Sequence, residues 1–337
     1  MTQTYRIIGS ELSPFSVKVR SWFRFKGIRH EWTVASAAIR EQYSKYFRIP
    51  VIPVVITPDK LGLQDSTPII EQLDSSDDGP SIHPEDQTLW FLSCLLEEFG
   101  DEWANKWMFH FRWAREADRL NAATKIAAMR EPDADIDDLD RLVEVVTKRM
   151  SSRTWFVGSN GQNSPHIESG FKRAIKQLNT HLQRRKYLLG NRPAFADFGI
   201  APQIYNAFLD PTAGALISAR YPDVVAWLQR MLWPRIDGDF ETWESLSPTL
   251  APFISEQVGA RFLPWSAANR KALQRGEERF SVELPDGTWT QSPQKYHAKS
   301  LTELQNKYQV AMNNRALHSV LEGTGCLETL QETADHD

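Results

Sequence analysis

The stretch SSDDGPSIHPED, residues 75–86, divides the chain into two parts with different periodicities. Before it, short β-prone runs alternate with helical patterns. After it, strand signals nearly vanish and helical spacing takes over. A segment so rich in Asp, Ser, Pro and Gly reads as a linker. Such a chain folds as a small α/β unit followed by a helical one, and 337 residues suffice for both.

In the first part, TYRIIG (4–9) reads as a strand. Pro14 suits the first position of a helix, with Ser13 as its N-cap. Phe15, Val19, Trp22 and Phe23 recur at helical spacing, and Gly27 ends the helix. HEWTVA (30–35) is a second strand, followed by a polar helix over 37–47. VIPVVIT (51–57) is a strand, PDKLG a turn and LQD a short strand. A helix opens near Ser66. The order βαβα, then ββα, implies one parallel pair and one antiparallel hairpin on the same sheet.

Beyond the linker, residues 86–120 form one long helical pattern with a bend near Gly100. EPDADIDDLD (131–140) is an acidic loop and helix start, and 157–165 is a loop. Helices are expected over 166–190, ending at Gly190, over 195–210, apolar nearly all round, and over 221–231. From about Phe253 the character changes again: helix, a small hairpin around Pro285-Asp286-Gly287, then helix. The expected domains are 1–77, 86–250 with an insertion near 121–164, and a helical extension over 253–330.

The net charge of −4 argues against a nucleic-acid partner, which would call for a basic patch. Cys94 and Cys326 form no CxxC, so neither a disulfide framework nor a Cys-pair zinc site is expected, and a reducing compartment suits them. No apolar run approaches the ~20 residues of a membrane span. The start, MTQTYRIIGS, lacks the features of a signal peptide. The expectation is a cytoplasmic protein with no membrane partner and no metal.

Four stretches carry a resemblance: SPFSVKVR, VIPVVI, LQDSTPIIEQLD and YLLGNRPAFADFGIAP. In this order the chain resembles the cytosolic glutathione transferase superfamily. SPFSVKVR is similar to the active-site stretch of serine-type members, notably the tau class. The stretches DEW…FHFRW and TGC resemble a bacterial group of longer glutathione transferase-like proteins. The resemblance implies a thioredoxin-like N-terminal domain, an all-helical C-terminal domain and, in this chain, a C-terminal extension. It also implies glutathione as co-substrate, a small apolar or aromatic electrophile as acceptor, and a homodimer.

It further implies roles for residues. Ser13 would hydrogen-bond the glutathione thiol. Pro53 would be cis, exposing the backbone of Ile52 to the tripeptide. Asp65 would hold the γ-glutamyl amine and Ser66 its carboxylate. The lysine that meets the glycyl carboxylate falls at Val51, leaving Arg40 or Arg48 to replace it. Asp197 would cap the core helix, with only half a capping box because Ala194 has no side-chain acceptor.

The chemistry fits these residue types. A free thiol has a pKa near ~8.5, and lowering it by ~2 units needs about 2.7 kcal/mol. One hydrogen bond to a charged acceptor supplies ~1.5–3 kcal/mol. A helix N-terminus favours the anion as well. From local sequence alone, however, Ser13 reads first as a plain helix cap, a plain cap at Ser66 or Thr67 competes with the ligand role of Ser66, and Ser16 is a second, weaker candidate hydroxyl. Because residue 13 is not Cys, a mixed disulfide with glutathione is excluded there. Phe15 and the stripe Trp103, Trp107 and His110 are the expected acceptor contacts, although such a stripe is more often core. A ligand carrier or scaffold without catalysis stays open beside the transferase, as do a lyase, an isomerase and a peroxidase.

Overall fold

The computed structural model describes residues 4–332. Its first part follows the expected order. Strand β1 (Tyr5–Gly9) leads to helix α1 (Pro14–Lys26), then β2 (His30–Val34) and the short helix α2 (Ala37–Gln42). Next come β3 (Val54–Ile56), β4 (Gly62–Gln64) and α3 (Ser66–Asp74). The sheet order is β2-β1-β3-β4. β1 and β2 are parallel, with Ile7 opposite Trp32. β3 runs antiparallel to both β1 and β4. This is the thioredoxin-like arrangement. Local chemistry fixes α1 at both ends: Pro14 opens it, and Gly27 closes it with φ +68, a conformation glycine adopts without cost.

The helical part begins with α4 (Gln87–Phe99), a π-helical turn over Gly100–Ala104, and α5 (Asn105–Ala114). The π-helical turn that begins at Gly100 sits at a close helix crossing. A Cβ there would lie 2.4 Å from the carbonyl carbon of Gly199, so two helices cross backbone to backbone. Helices α6 (Glu116–Arg130) and α7 (Ile136–Ser151) form a hairpin where the sequence suggested an insertion. They are followed by α8 (Ser164–Leu182), α9 (Phe195–Phe208), α10 (Pro211–Arg220), α11 (Pro222–Leu232) and α12 (Trp243–Phe253).

Two expectations are corrected here. The helix expected to run to Gly190 stops at Leu182, because Tyr187 and Gly190 bridge each other and Gly190 also bridges Phe240. Helices α10 and α12 were not expected. Helix α9 is buried nearly throughout and touches α1, α4, α5, α10 and α11. Asp197 accepts from the Ala194 and Leu188 amides, both at 2.9 Å, and from Trp227 Nε1 at 2.8 Å. Burial pushes its carboxyl up to about 7 against those three bonds.

The extension contains α13 (Leu263–Gln274), the hairpin β5 (Phe280–Leu284) and β6 (Gly287–Gln291), then α14 (Lys295–Ala311), α15 (Arg315–Gly323) and α16 (Leu327–Gln331). It belongs to the main hydrophobic core through Trp265, Trp289, Leu301 and Leu304. Helix α14 lies against α4. Among the described residues, no helix is long and apolar enough to cross a membrane.

A buried ionic cluster joins the two parts. Lys18 of α1 donates to Glu97 of α4, to Asp101 at 2.6 Å and to Thr67 of α3 at 2.7 Å. Thr67 Oγ1 in turn donates to Glu97 at 2.6 Å. These carboxylates raise the Lys18 ammonium above its ordinary value despite its burial. Removing the cation strands two buried acids. Lys18→Met is therefore expected to cost ~3–5 kcal/mol in urea unfolding at neutral pH. Adding Glu97→Gln and Asp101→Asn should recover most of that. A loss below ~1 kcal/mol for the single variant would contradict the assignment.

Candidate functional site

Ser13 sits where β1 ends and α1 begins, at the N-terminal end of the helix. Its Oγ accepts from the Ser16 amide at 3.3 Å, a long bond that leaves the hydroxyl proton free to point outward. The residue lines a cleft of about 160 Å³. One wall, with Ser10, Leu12, Ala35 and Ile52, comes from the thioredoxin-like part; the other comes from the α6–α7 hairpin. Ser16, the second candidate, is fully buried beneath Gly9, so it does not reach the cleft.

The Ile52–Pro53 peptide is cis, as the resemblance implied, and Ile52 borders the same cleft. Asp65 precedes α3 with φ +76, in the left-handed region, which is strained for a residue with a Cβ. Ser66 is buried at the start of α3. Arg40 lines the cleft beside Ser13. Arg48 instead donates to the Gly62 carbonyl at 3.3 Å.

A second cavity, about 240 Å³, opens beside Asp65. The extension forms one side of it. Tyr296 donates to Asp65 Oδ2 at 2.9 Å, and Ser300 bonds Glu98. Glu98, Asp101 and Glu102 line the opposite side. Burial, reinforced by the neighbouring Glu97, raises Glu98 to about 8. Burial likewise holds Asp101 at about 6 although Lys18 opposes it.

The expected acceptor contacts lie elsewhere. Trp103 and Trp107 are buried in the core, where Trp103 packs on Trp265 and Trp289 and Trp107 on Phe99 and Phe171. His110 is buried too, with Ser159 Oγ 2.8 Å from Nδ1 and Glu168 3.4 Å from Nε2. Burial lowers its pKa. Phe15 is half-buried and does not line the cleft. The stripe faces inward, and at Trp103 the extension supplies the tryptophans that cover it.

The residues that do face Ser13 across the cleft are Ile126, Met129, Arg130, Val146, Arg149 and Met150. The sequence carried a signal for them. Met-Arg closes α6 and Arg-Met lies in the last turn of α7, each at the edge of an amphipathic pattern. Among the described residues, no group of His, Cys, Asp and Glu could hold a metal ion.

A family model for the N-terminal domain of glutathione S-transferases matches residues 7–81, and one for the C-terminal domain matches residues 133–230. The chain belongs to the glutathione S-transferase superfamily. Among solved structures it is similar to a glutathione S-transferase from Pseudomonas fluorescens, at 19% identity over 67% of this chain and 93% of that one, with a TM-score of 0.36. One from Methylobacillus flagellatus, crystallised with glutathione bound, is 19% identical over 68% of this chain and 94% of that one, with a TM-score of 0.38. A GST-like protein from Pseudomonas syringae is 18% identical over 69% of this chain and 67% of that one, with a TM-score of 0.44. No curated protein matches the chain.

The raised carboxyl of Glu98 makes stability depend on pH. Its ordinary value is 4.5 and its folded value about 8, so between them the folded state holds a proton that the unfolded chain has lost. The stabilisation is complete below the lower value and disappears as pH rises through the higher one. Stability should fall across that window with a slope of up to ~1.4 kcal/mol per pH unit. Glu98→Gln should flatten the curve in denaturant titrations at several pH values. An unchanged curve would refute the role of Glu98.

Proposed function

We propose that this protein is a glutathione-dependent, serine-type transferase in which Ser13 stabilises the thiolate for attack on a small electrophile. The observation that carries the reading is the Ser13 hydroxyl at the N-terminus of α1, facing a cleft shared with Ile52. In this reading the tripeptide thiol meets Ser13, and its backbone pairs with Ile52 in the manner of an added strand. The γ-glutamyl end meets Asp65 and Ser66, and the glycyl carboxylate meets Arg40. The Ser13 hydroxyl donates to the sulfur, the helix dipole favours its charge, and the thiol proton leaves to solvent. The sulfur then attacks an acceptor held against the α6–α7 hairpin. The reading includes a cytoplasmic homodimer. The reducing compartment is supported by two free, buried cysteines, and the dimer by the resemblance.

Calorimetric titration with reduced glutathione and S-methylglutathione tests the site, and both should saturate. Ser13→Ala should leave affinity nearly intact while raising the pKa of the bound thiol by ~1–2 units, followed by thiolate absorbance. An unchanged thiolate signal would remove Ser13 from the mechanism.

A second reading, a ligand-binding protein without conjugating activity, is favoured by the bond from Tyr296 to Asp65. That bond engages the carboxylate meant for the γ-glutamyl amine. If the two compete, Tyr296→Phe should tighten glutathione binding several-fold in the same calorimetry. Weaker binding would instead make Tyr296 part of the site.

A further inference from the structure

The cleft beside Ser13 holds more positive charge than glutathione needs. Arg40, Arg130 and Arg149 all line it, and no carboxylate does. Arg40 comes from α2, Arg130 ends α6, and Arg149 lies in the last turn of α7. Among the described residues none of the three makes an ion pair, although the structure is otherwise rich in pairs such as Arg112–Asp210 and Arg185–Glu241. Three guanidiniums left without acids around one concave space are an unusual arrangement, because each one raises the cost of the next.

The α6–α7 hairpin explains how two of them meet. The helices are joined by residues 131–135, and Ala122, Ala123 and Val146 pack between them. Side chains on a helix lean toward its N-terminus. On paired antiparallel helices, Arg130 and Arg149 therefore lean toward each other from opposite ends. Their proximity is felt electrostatically. Burial first, and then Arg149, lowers the pKa of Arg130; burial, then Arg130 and Arg149, does the same to Arg40.

Between the two hairpin arginines the wall is apolar and adaptable, formed by Ile126, Met129, Val146 and Met150.

We propose that Arg130 and Arg149 form an anion subsite that selects acceptors with an aromatic or compact apolar body and a carboxylate or sulfonate group. The proposal deepens the transferase reading and rests on it for the thiolate. The Met-lined wall takes the ring, the two guanidiniums take the acid group, and the electrophilic carbon is turned toward Ser13. For a chloroarene acid the sulfur forms the new C–S bond. The C–Cl bond breaks with its pair on chloride, and the thiol proton has already gone to solvent. The carboxylate is unchanged and remains on the product. Arginine suits this role because its planar fork matches a carboxylate.

The test separates the subsite from the thiolate. Binding of 3,5-dinitrobenzoate and of neutral 1,3-dinitrobenzene, which carry no halide and whose meta nitro groups do not activate each other for displacement, is measured by calorimetry with and without glutathione. Wild type should bind the anion at least about tenfold more tightly than the neutral ring, with the gap shrinking as salt is added. Arg130→Gln and Arg149→Gln should each remove most of the gap, and Arg149→Lys should keep part of it. Unfolding midpoints report whether each variant is folded. Chlorodinitrobenzoate should then be conjugated with a lower KM than chlorodinitrobenzene, and Arg149→Gln should erase that difference. Equal binding of the two rings by wild type, while glutathione binds normally, overturns the subsite and leaves the transferase reading intact. An arginine-dependent gap in a protein that does not bind glutathione supports the subsite and overturns the transferase reading.

Discussion

Lys18 is the fastening on which the rest depends. Its ammonium is out of water, where an unpaired charge costs several kcal/mol. It survives because Thr67 of α3, Glu97 of α4 and Asp101 of the π-helical turn converge on it. The cluster joins α1, α3 and α4, so the helix carrying Ser13 and the helix start carrying Asp65 are held on one frame. The cleft is the gap left between that frame and the α6–α7 hairpin.

The same frame constrains the backbone. Glu97 and Asp101 flank the crossing of Gly100 with Gly199, and a Cβ on Gly199 would meet the Glu97 backbone at 2.6 Å. Close approach, the π-helical turn and the buried acids therefore share one short segment. The turn inserts a residue's worth of rotation just where the acids must face α1. Trp103 within the turn and Trp107 just after it are both buried in the core.

This also explains what the sequence could reveal and what it could not. The order of strands and helices in the first part, the Ser13 cap and the irregularity near Gly100 are written in residues close together in the chain, and they were legible. The inward turn of Trp103, Trp107 and His110 was not. A stripe at helical spacing marks a buried face but does not say what buries it, and here the partners come from distant segments: Trp265 and Trp289 for Trp103, Phe171 for Trp107, and Ser159 and Glu168 for His110. Lys18 reads locally as a polar position in a cationic helix, since its partners are far off in sequence. The stop at Leu182 was missed for a similar reason. Residues 183–190 keep a tolerable helical pattern, but the bridges of Gly190 with Tyr187 and Phe240 and the bond from the Leu188 amide to Asp197 hold them in another conformation.

The extension is accordingly an internal part of the structure. Lys106 is buried with its ammonium 3.6 Å from the Trp265 ring centroid, and Trp103 and Trp289 also lie within reach. Burial drives its pKa well below the ordinary value. An aromatic enclosure is one of the few apolar settings that can still offer a cation some stabilisation. Two of the three rings come from the extension, so α5 would be left with an exposed aromatic face and an uncovered lysine without it. The same segment then delivers Tyr296 to Asp65 by way of α14. Helix α14 itself packs on α4 and α13, so the helix that brings Tyr296 to Asp65 is anchored in the same core as Trp265 and Trp289.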